Sequence, residues 1–128
     1  MRNISCYYTQ EQIRNRTKTV TRRLGWANAK PGELLQVVVK GQGLKKGEHV
    51  EKMVVIRVLE NDPEPLDNII KYPRRWHKIK DYKWVWETVR EGFPDMTPQE
   101  FVVMFCKTNK CEPGTVINRI AFDYEDKP

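Results

Sequence analysis

Thr17-Lys18-Thr19-Val20-Thr21-Arg22-Arg23-Leu24-Gly25-Trp26 sets the problem that this chain poses. The stretch joins a lysine, threonine hydroxyls one and three residues after it, two consecutive arginines and a tryptophan. No strand or helix needs that composition in order to fold. The β-branched Thr19, Val20 and Thr21 favour an extended chain. Extension puts Lys18 and Val20 on one face, with Thr19 and Thr21 on the other. For Lys18 to reach Thr21 the chain must therefore turn or twist. A lysine three residues before a hydroxyl, amid cations that favour its neutral form, can act as a base–nucleophile pair. The same groups can hold a phosphate instead. On the residues alone both readings stay open.

Outward from that stretch, residues 3–8 alternate Ile4, Cys6 and Tyr8 with Ser5 and Tyr7, which predicts a first strand. Thr9-Gln10-Glu11-Gln12 has the spacing of a capping box and predicts a short surface helix to about Arg16, anchored by Ile13. On the other side, Gly25 and Pro31-Gly32 punctuate a loop around Trp26. Residues 33–40 predict a second strand and 50–60 a third, paired with it as an antiparallel ladder. Between them Gly41-Gln42-Gly43-Leu44-Lys45-Lys46-Gly47 is a basic connection. Its glycines lack the strand-to-helix context and the spacing of a phosphate-cradling loop.

Asp62-Pro63-Glu64-Pro65 is expected to end the ladder, with a short helix over 66–70. The block from Tyr72 to Trp86 holds three of the four tryptophans among cations that include Arg74, Arg75 and Lys78. Aromatics interleaved with cations suit stacking on bases beside phosphate contacts, so these residues and Trp76 are candidate nucleic-acid contacts. Equally open is a helix or loop that docks Trp84 and Ile79 on the core and exposes its charges. Glu91-Gly92-Phe93-Pro94 is a turn carrying a carboxylate. Thr97-Pro98-Gln99-Glu100 is the strongest local signal, with Thr at the N-cap, Pro at the first helical position and Glu three residues after the cap. The apolar run that follows, Phe101 to Cys106, predicts a mostly buried helix. A last strand is expected over 115–124. Short strands and helices with one long insertion give an α+β class: a small mixed β-barrel of about five to six strands edged by short helices.

The totals agree with one domain over all 128 residues, long enough for a single core. The net charge is +6, and its distribution matters more than its size. Residues 11–30 carry six Lys/Arg and one acid, and residues 71–90 carry seven and two, while the remainder is net acidic. Two basic blocks imply a built positive face. No apolar run approaches the roughly 20 residues of a membrane helix, and the N-terminus lacks a signal-peptide pattern. Three cysteines, without framework spacing, fit reduced thiols and a cytoplasmic location. Cys106 and Cys111 with His77 or His49 are too loosely spaced for a zinc site. No metal or cofactor is expected, no membrane contact, and a monomer or weak dimer.

The chain resembles the ASCH domain family, a branch of the PUA-like superfamily. The resemblance rests on Lys18-Thr19-Val20-Thr21-Arg22-Arg23, the Pro31-Gly32-Glu33 turn, Glu91-Gly92-Phe93 before a Thr-x-x-Glu-Phe helix start, and Asn118-Arg119-Ile120 in the closing strand. It looks most like the small stand-alone bacterial and phage members. The resemblance implies a PUA-like barrel with a cleft and a role in binding RNA. Some similar proteins are amidohydrolases that deacetylate 4-acetylcytidine, and their catalytic lysine, threonine and glutamate fall on Lys18, Thr21 and Glu91, with an arginine on Arg23. Others are described as ribonucleases. The basic Trp-rich insert at about 72–90 departs from the compact amidohydrolases, so a larger substrate comes into view.

Two functions follow as expectations. The leading one is recognition of RNA, single-stranded nucleic acid or a modified nucleoside by Thr19, Arg22, Arg23, Trp26, Lys45, Lys46 and the 72–90 block. The alternative is hydrolysis of an acylated pyrimidine nucleoside by Lys18, Thr21 and Glu91, with RNA cleavage as a weaker third.

Overall fold

A computed structural model describes residues 1–40, 47, 49–77 and 83–125. The main sheet is built from β1 (Arg2–Ser5), β2 (Val20–Arg23), β3 (Leu34–Val38), β4 (Lys52–Pro65) and β7 (Val116–Tyr124), in the order β1-β3-β4-β7-β2. β1 pairs parallel with β3, and every other pairing is antiparallel. A separate hairpin pairs β5 (Arg74–His77) with β6 (Lys83–Trp86). Among the described residues, four short α-helices complete the α+β architecture: α1 (Gln10–Arg14), α2 (Asn68–Lys71), α3 (Glu87–Glu91) and α4 (Pro98–Asn109).

The expected barrel is a half-barrel. Its edge strands, β1 and β2, share no ladder. Arg23 spans the gap instead: its Nη2 donates to the Ser5 carbonyl and lies 3.5 Å from the Cys6 thiol. The interior is filled by residues such as Ile4, Leu35, Val37, Ile56, Ile120 and Phe122, with Ile13 of α1 plugging it. A second cluster joins Leu66 and Ile69 to Phe101, Val102 and Phe105 of α4, and reaches the sheet through Ile117. β7 therefore buries both faces, which is why Arg119 to Phe122 are buried without alternation.

Several local expectations change. The β3–β4 ladder ends before Asp62, at Arg57, but the strand does not: β4 runs on to Pro65 against β7. Pro63 and Pro65 lie two residues apart, so both point their missing N–H to one side, and β3 has stopped pairing with β4 at Arg57. The prolines thus sit where the sheet has an edge, where they cost no ladder bond. At Thr9 no side-chain cap forms: a 3-10 turn over Tyr7–Thr9 runs straight into α1. The Thr97 capping box does form, with Glu100 N–H to Thr97 Oγ1 at 3.1 Å and Thr97 N–H to Glu100 Oε1 at 2.8 Å. α4 buries one face only, since Val103 is 68% exposed. Among the described residues of 72–90, β5 and β6 pair and α3 follows in place of a docked helix, and Trp84 stands 63% exposed. Lys45, Lys46, Lys78 and Ile79 lie outside the described residues.

Candidate functional site

The site gathers along the free edge of β2. Lys18 precedes the strand, which begins at Val20, so the opposition of faces expected of an extended chain does not separate Lys18 from Thr21. Both border a cleft of about 200 Å³, together with Arg22, Arg23 and Glu91. Tyr7, Tyr8, Phe93 and residues of α4, Met104, Thr108 and Asn109, complete its walls.

Each group is held by the fold. The Tyr124 hydroxyl donates to the Lys18 carbonyl at 2.5 Å, fixing the segment before β2, and burial pushes the Tyr124 phenol further up. Lys18, only 3% exposed, points its ammonium at the carbonyl of Glu91 and at Glu91 Oε1, 3.2 Å away. Arg22 Nη1 donates to the other carboxylate oxygen at 3.0 Å. Glu91 ends α3 and is followed by Gly92 at φ +97°, a left-handed cap that favours glycine. The Thr21 hydroxyl accepts from Arg23 Nε at 2.9 Å. That bond leaves the hydroxyl's own proton to be given up, and the adjacent guanidinium favours negative charge on the oxygen.

Behind the cleft lies a buried ionic cluster. Glu87 accepts from Arg119 Nε at 2.6 Å and Nη2 at 3.0 Å, and from Arg22 Nη2 at 2.7 Å. Burial alone would raise the Glu87 carboxyl, but the Arg119 hydrogen bonds and the charges of Arg119 and Arg22 outweigh it, bringing it to about 2. Arg90 is lowered to about 10, chiefly by burial and then by the nearby Arg119 charge. Arg75 forms a two-pronged pair with Glu64 at 3.1 and 2.8 Å.

Solved structures contain a counterpart. The chain is similar to protein EF3133 from Enterococcus faecalis V583, of the family-model DUF984, with a TM-score of 0.55 at 15% identity. The match covers 91% of this chain and 69% of that one. The fold is shared. No family model matches the chain, and no curated protein matches it. The likeness is therefore one of architecture, a half-barrel sheet edged by short helices.

The structure sorts the candidate residues. Lys18, Thr21, Arg22, Arg23 and Glu91 converge on the cleft. Arg22 is not offered to a phosphate: its side chain is wholly withdrawn from solvent between Glu87 and Glu91. Thr19 is buried, and its hydroxyl accepts from Arg90 Nε at 3.1 Å. Trp26 packs against the barrel core beneath the Arg2 guanidinium, outside the cleft lining. Arg75 is committed to Glu64, whereas Arg74 and Trp76 sit on the hairpin away from the cleft lining.

Sequence reasoning missed Glu87 and the role of Arg119. Two signals were present. Glu87 and Glu91 are spaced i, i+4, so one helical face carries both carboxylates. Arg119 shares a strand face with Ile117 and Ala121, where an arginine requires a buried acid.

Proposed function

We infer that the chain is a hydrolase acting on an acylated pyrimidine nucleoside held in the cleft. One observation carries this: the three groups that the chemistry needs, Lys18, Thr21 and Glu91, border a single cleft, with Lys18 and Glu91 already 3.2 Å apart. The arginines expected to bind phosphate support it from the other side. Arg22 and Arg75 are spent on carboxylates, and Arg23 on Ser5 and Thr21, so the cleft is lined for proton handling more than for phosphate. Recognition of a nucleoside of RNA is contained in this reading as the binding step.

The chemistry runs as follows. Lys18 Nζ lies 3.2 Å from Glu91 Oε1, and the route requires the Lys18 proton to move to that carboxylate first. The amine so freed takes the Thr21 Oγ proton as that oxygen attacks the acyl carbon. Arg23, bonded to the same oxygen, stabilises the charge that develops there. The C–N bond breaks and the leaving amine receives a proton from the Lys18–Glu91 unit. Water then cleaves the acyl-threonine ester, releasing the acid and restoring the hydroxyl.

Hydrolysis of 4-acetylcytidine by the purified protein tests this, run beside Lys18→Ala and Thr21→Val. Deacetylation by the parent chain and its loss in both variants is the expected result. Turnover that survives Thr21→Val would remove the covalent route.

A further inference from the structure

The hairpin presents a face that the cleft chemistry leaves unused. In the β5–β6 ladder Arg74 stands opposite Trp86, and Trp76 opposite Trp84. Side chains alternate across a strand, so these four residues share one face. All three rings are open to solvent: Trp84 is 63% exposed, and Trp76 and Trp86 are each 46% exposed. Trp76 and Trp84 meet edge to face with centroids 6.0 Å apart, and the Arg74 guanidinium lies 5.5 Å from the Trp86 ring. Three tryptophans left in water on so small a ladder are a costly arrangement for folding alone.

We propose that this face is a stacking platform for a single strand of RNA, and that the cleft takes its acylated nucleotide from such a strand rather than as a free nucleoside. The second half rests on the hydrolase reading, and so does the choice of RNA over DNA; the stacking of a single strand on this face does not. Trp84 and Trp86 lie two residues apart on one strand, about 7 Å. That is about twice the 3.4 Å rise between stacked bases, so each ring is offered to its own base of an unstacked chain. A base can lie on an indole while Arg74 meets the adjoining phosphate, a pairing that tolerates any sequence. Charge points the same way. Residues 71–90 carry seven Lys/Arg and two acids; Glu87 and Arg90 are buried and Arg75 is paired with Glu64, which still leaves the block net positive. An apolar protein partner would gain the rings but strand the cation above Trp86. Duplex would hide the base faces that the rings need.

The platform is also wired to the cleft. Trp86 is the cap residue of α3, and Glu91 is its last residue. Five helical residues rise only about 8 Å, which a strand of a few nucleotides spans. The cytidine assigned to the cleft makes RNA the strand that carries it.

Binding of a labelled, unacetylated single-stranded oligoribonucleotide of about ten nucleotides, followed by fluorescence anisotropy, tests the platform without any turnover. Trp84→Ala is expected to weaken binding at least about fivefold and Trp84→Phe to restore most of it, as stacking requires. Because Trp84 is exposed, circular dichroism of both variants should match the parent. No binding, or an affinity unmoved by Trp84→Ala, would overturn the platform. So would equal capture of duplex, of a DNA strand of the same sequence, or of a protein partner alone. Turnover then tests the substrate: kcat/KM for acetylcytidine within the oligomer is expected to exceed that of the free nucleoside at least about tenfold. Equal values would overturn the strand-borne substrate while leaving the hydrolase in place. Trp84-dependent binding with no turnover of either substrate would leave the platform standing and remove the hydrolase.

Discussion

Arg22 and Arg119 stand directly opposite each other across the β2–β7 ladder, like charges in register, and one carboxylate, Glu87, binds both. Opposed like charges on a sheet repel. Here the repulsion is answered by an acid delivered from α3, so the helix is clamped to the sheet by charge. The clamp has a consequence for the cleft, because the same five-residue helix carries Glu91.

Removing the acid should therefore destabilise the whole domain rather than merely loosen the helix. Glu87→Gln leaves two buried guanidinium groups facing each other without the acid that bridges them, Arg22 keeping Glu91 at 3.0 Å and Arg119 only Glu60 at 3.7 Å. A loss of about 3–5 kcal/mol is expected, read as a lower urea midpoint at unchanged slope. A loss below about 1 kcal/mol would show that the cluster relaxes into water.

Acid should do the same job reversibly. The folded Glu87 carboxyl lies at about 2, below its ordinary 4.5. A lowered folded value means that the carboxylate form stabilises the fold above about pH 4.5, and that this contribution fades as pH falls toward 2. The contribution is on the order of 3 kcal/mol. Unfolding free energy measured between pH 6 and 2 should drop steeply, and Glu87→Gln should flatten that slope. An unchanged slope in the variant would assign acid lability to other carboxyls.

Gly92 should tolerate no side chain. Its φ of +97° already penalises an L residue, and a Cβ there would come within 3.1 Å of Thr9 Cγ2 and 3.3 Å of Gln12 Cβ. Gly92→Ala is expected to cost about 1–3 kcal/mol and to displace the neighbouring Glu91, so both the melting temperature and turnover should fall. A fully stable, fully active variant would mean that α1 yields at this contact.

Hydroxyl chemistry separates roles within the cleft. Thr21→Ser keeps the nucleophile and the Arg23 bond, and turnover within about tenfold of the parent is expected. Glu91→Gln keeps the shape but removes the proton carrier. Loss in kcat of at least about 10³-fold is expected, with circular dichroism confirming the fold. A variant that changed KM alone would make Glu91 a binding group.

Short-range chemistry made much of this legible in the sequence. Thr97 and Glu100 form the capping box their spacing implied, and the β3–β4 ladder and the closing strand lie where alternation put them. Lys18, Thr21 and Glu91 were separable as a set because the resemblance named them together. What was hidden depends on partners distant in sequence. Arg22 and Arg75 look like phosphate ligands until Glu64 and Glu87 are seen beside them. The Trp-rich block reads equally as core or surface, because its period of two appears only once His77 and Lys83 are known to pair. Thr9 carried a cap pattern, but the preceding 3-10 turn had already set the entry to α1.

Arg23 leaves one more mark on the molecule. Because β1 and β2 end the sheet without joining, each strand carries a row of main-chain groups able to recruit a strand from another molecule. The guanidinium that steadies the Thr21 hydroxyl also holds these two borders together at Ser5. The residue that bonds the Thr21 hydroxyl thus also braces two open strand borders, so a chain losing Arg23 is expected to form fibrils or precipitates.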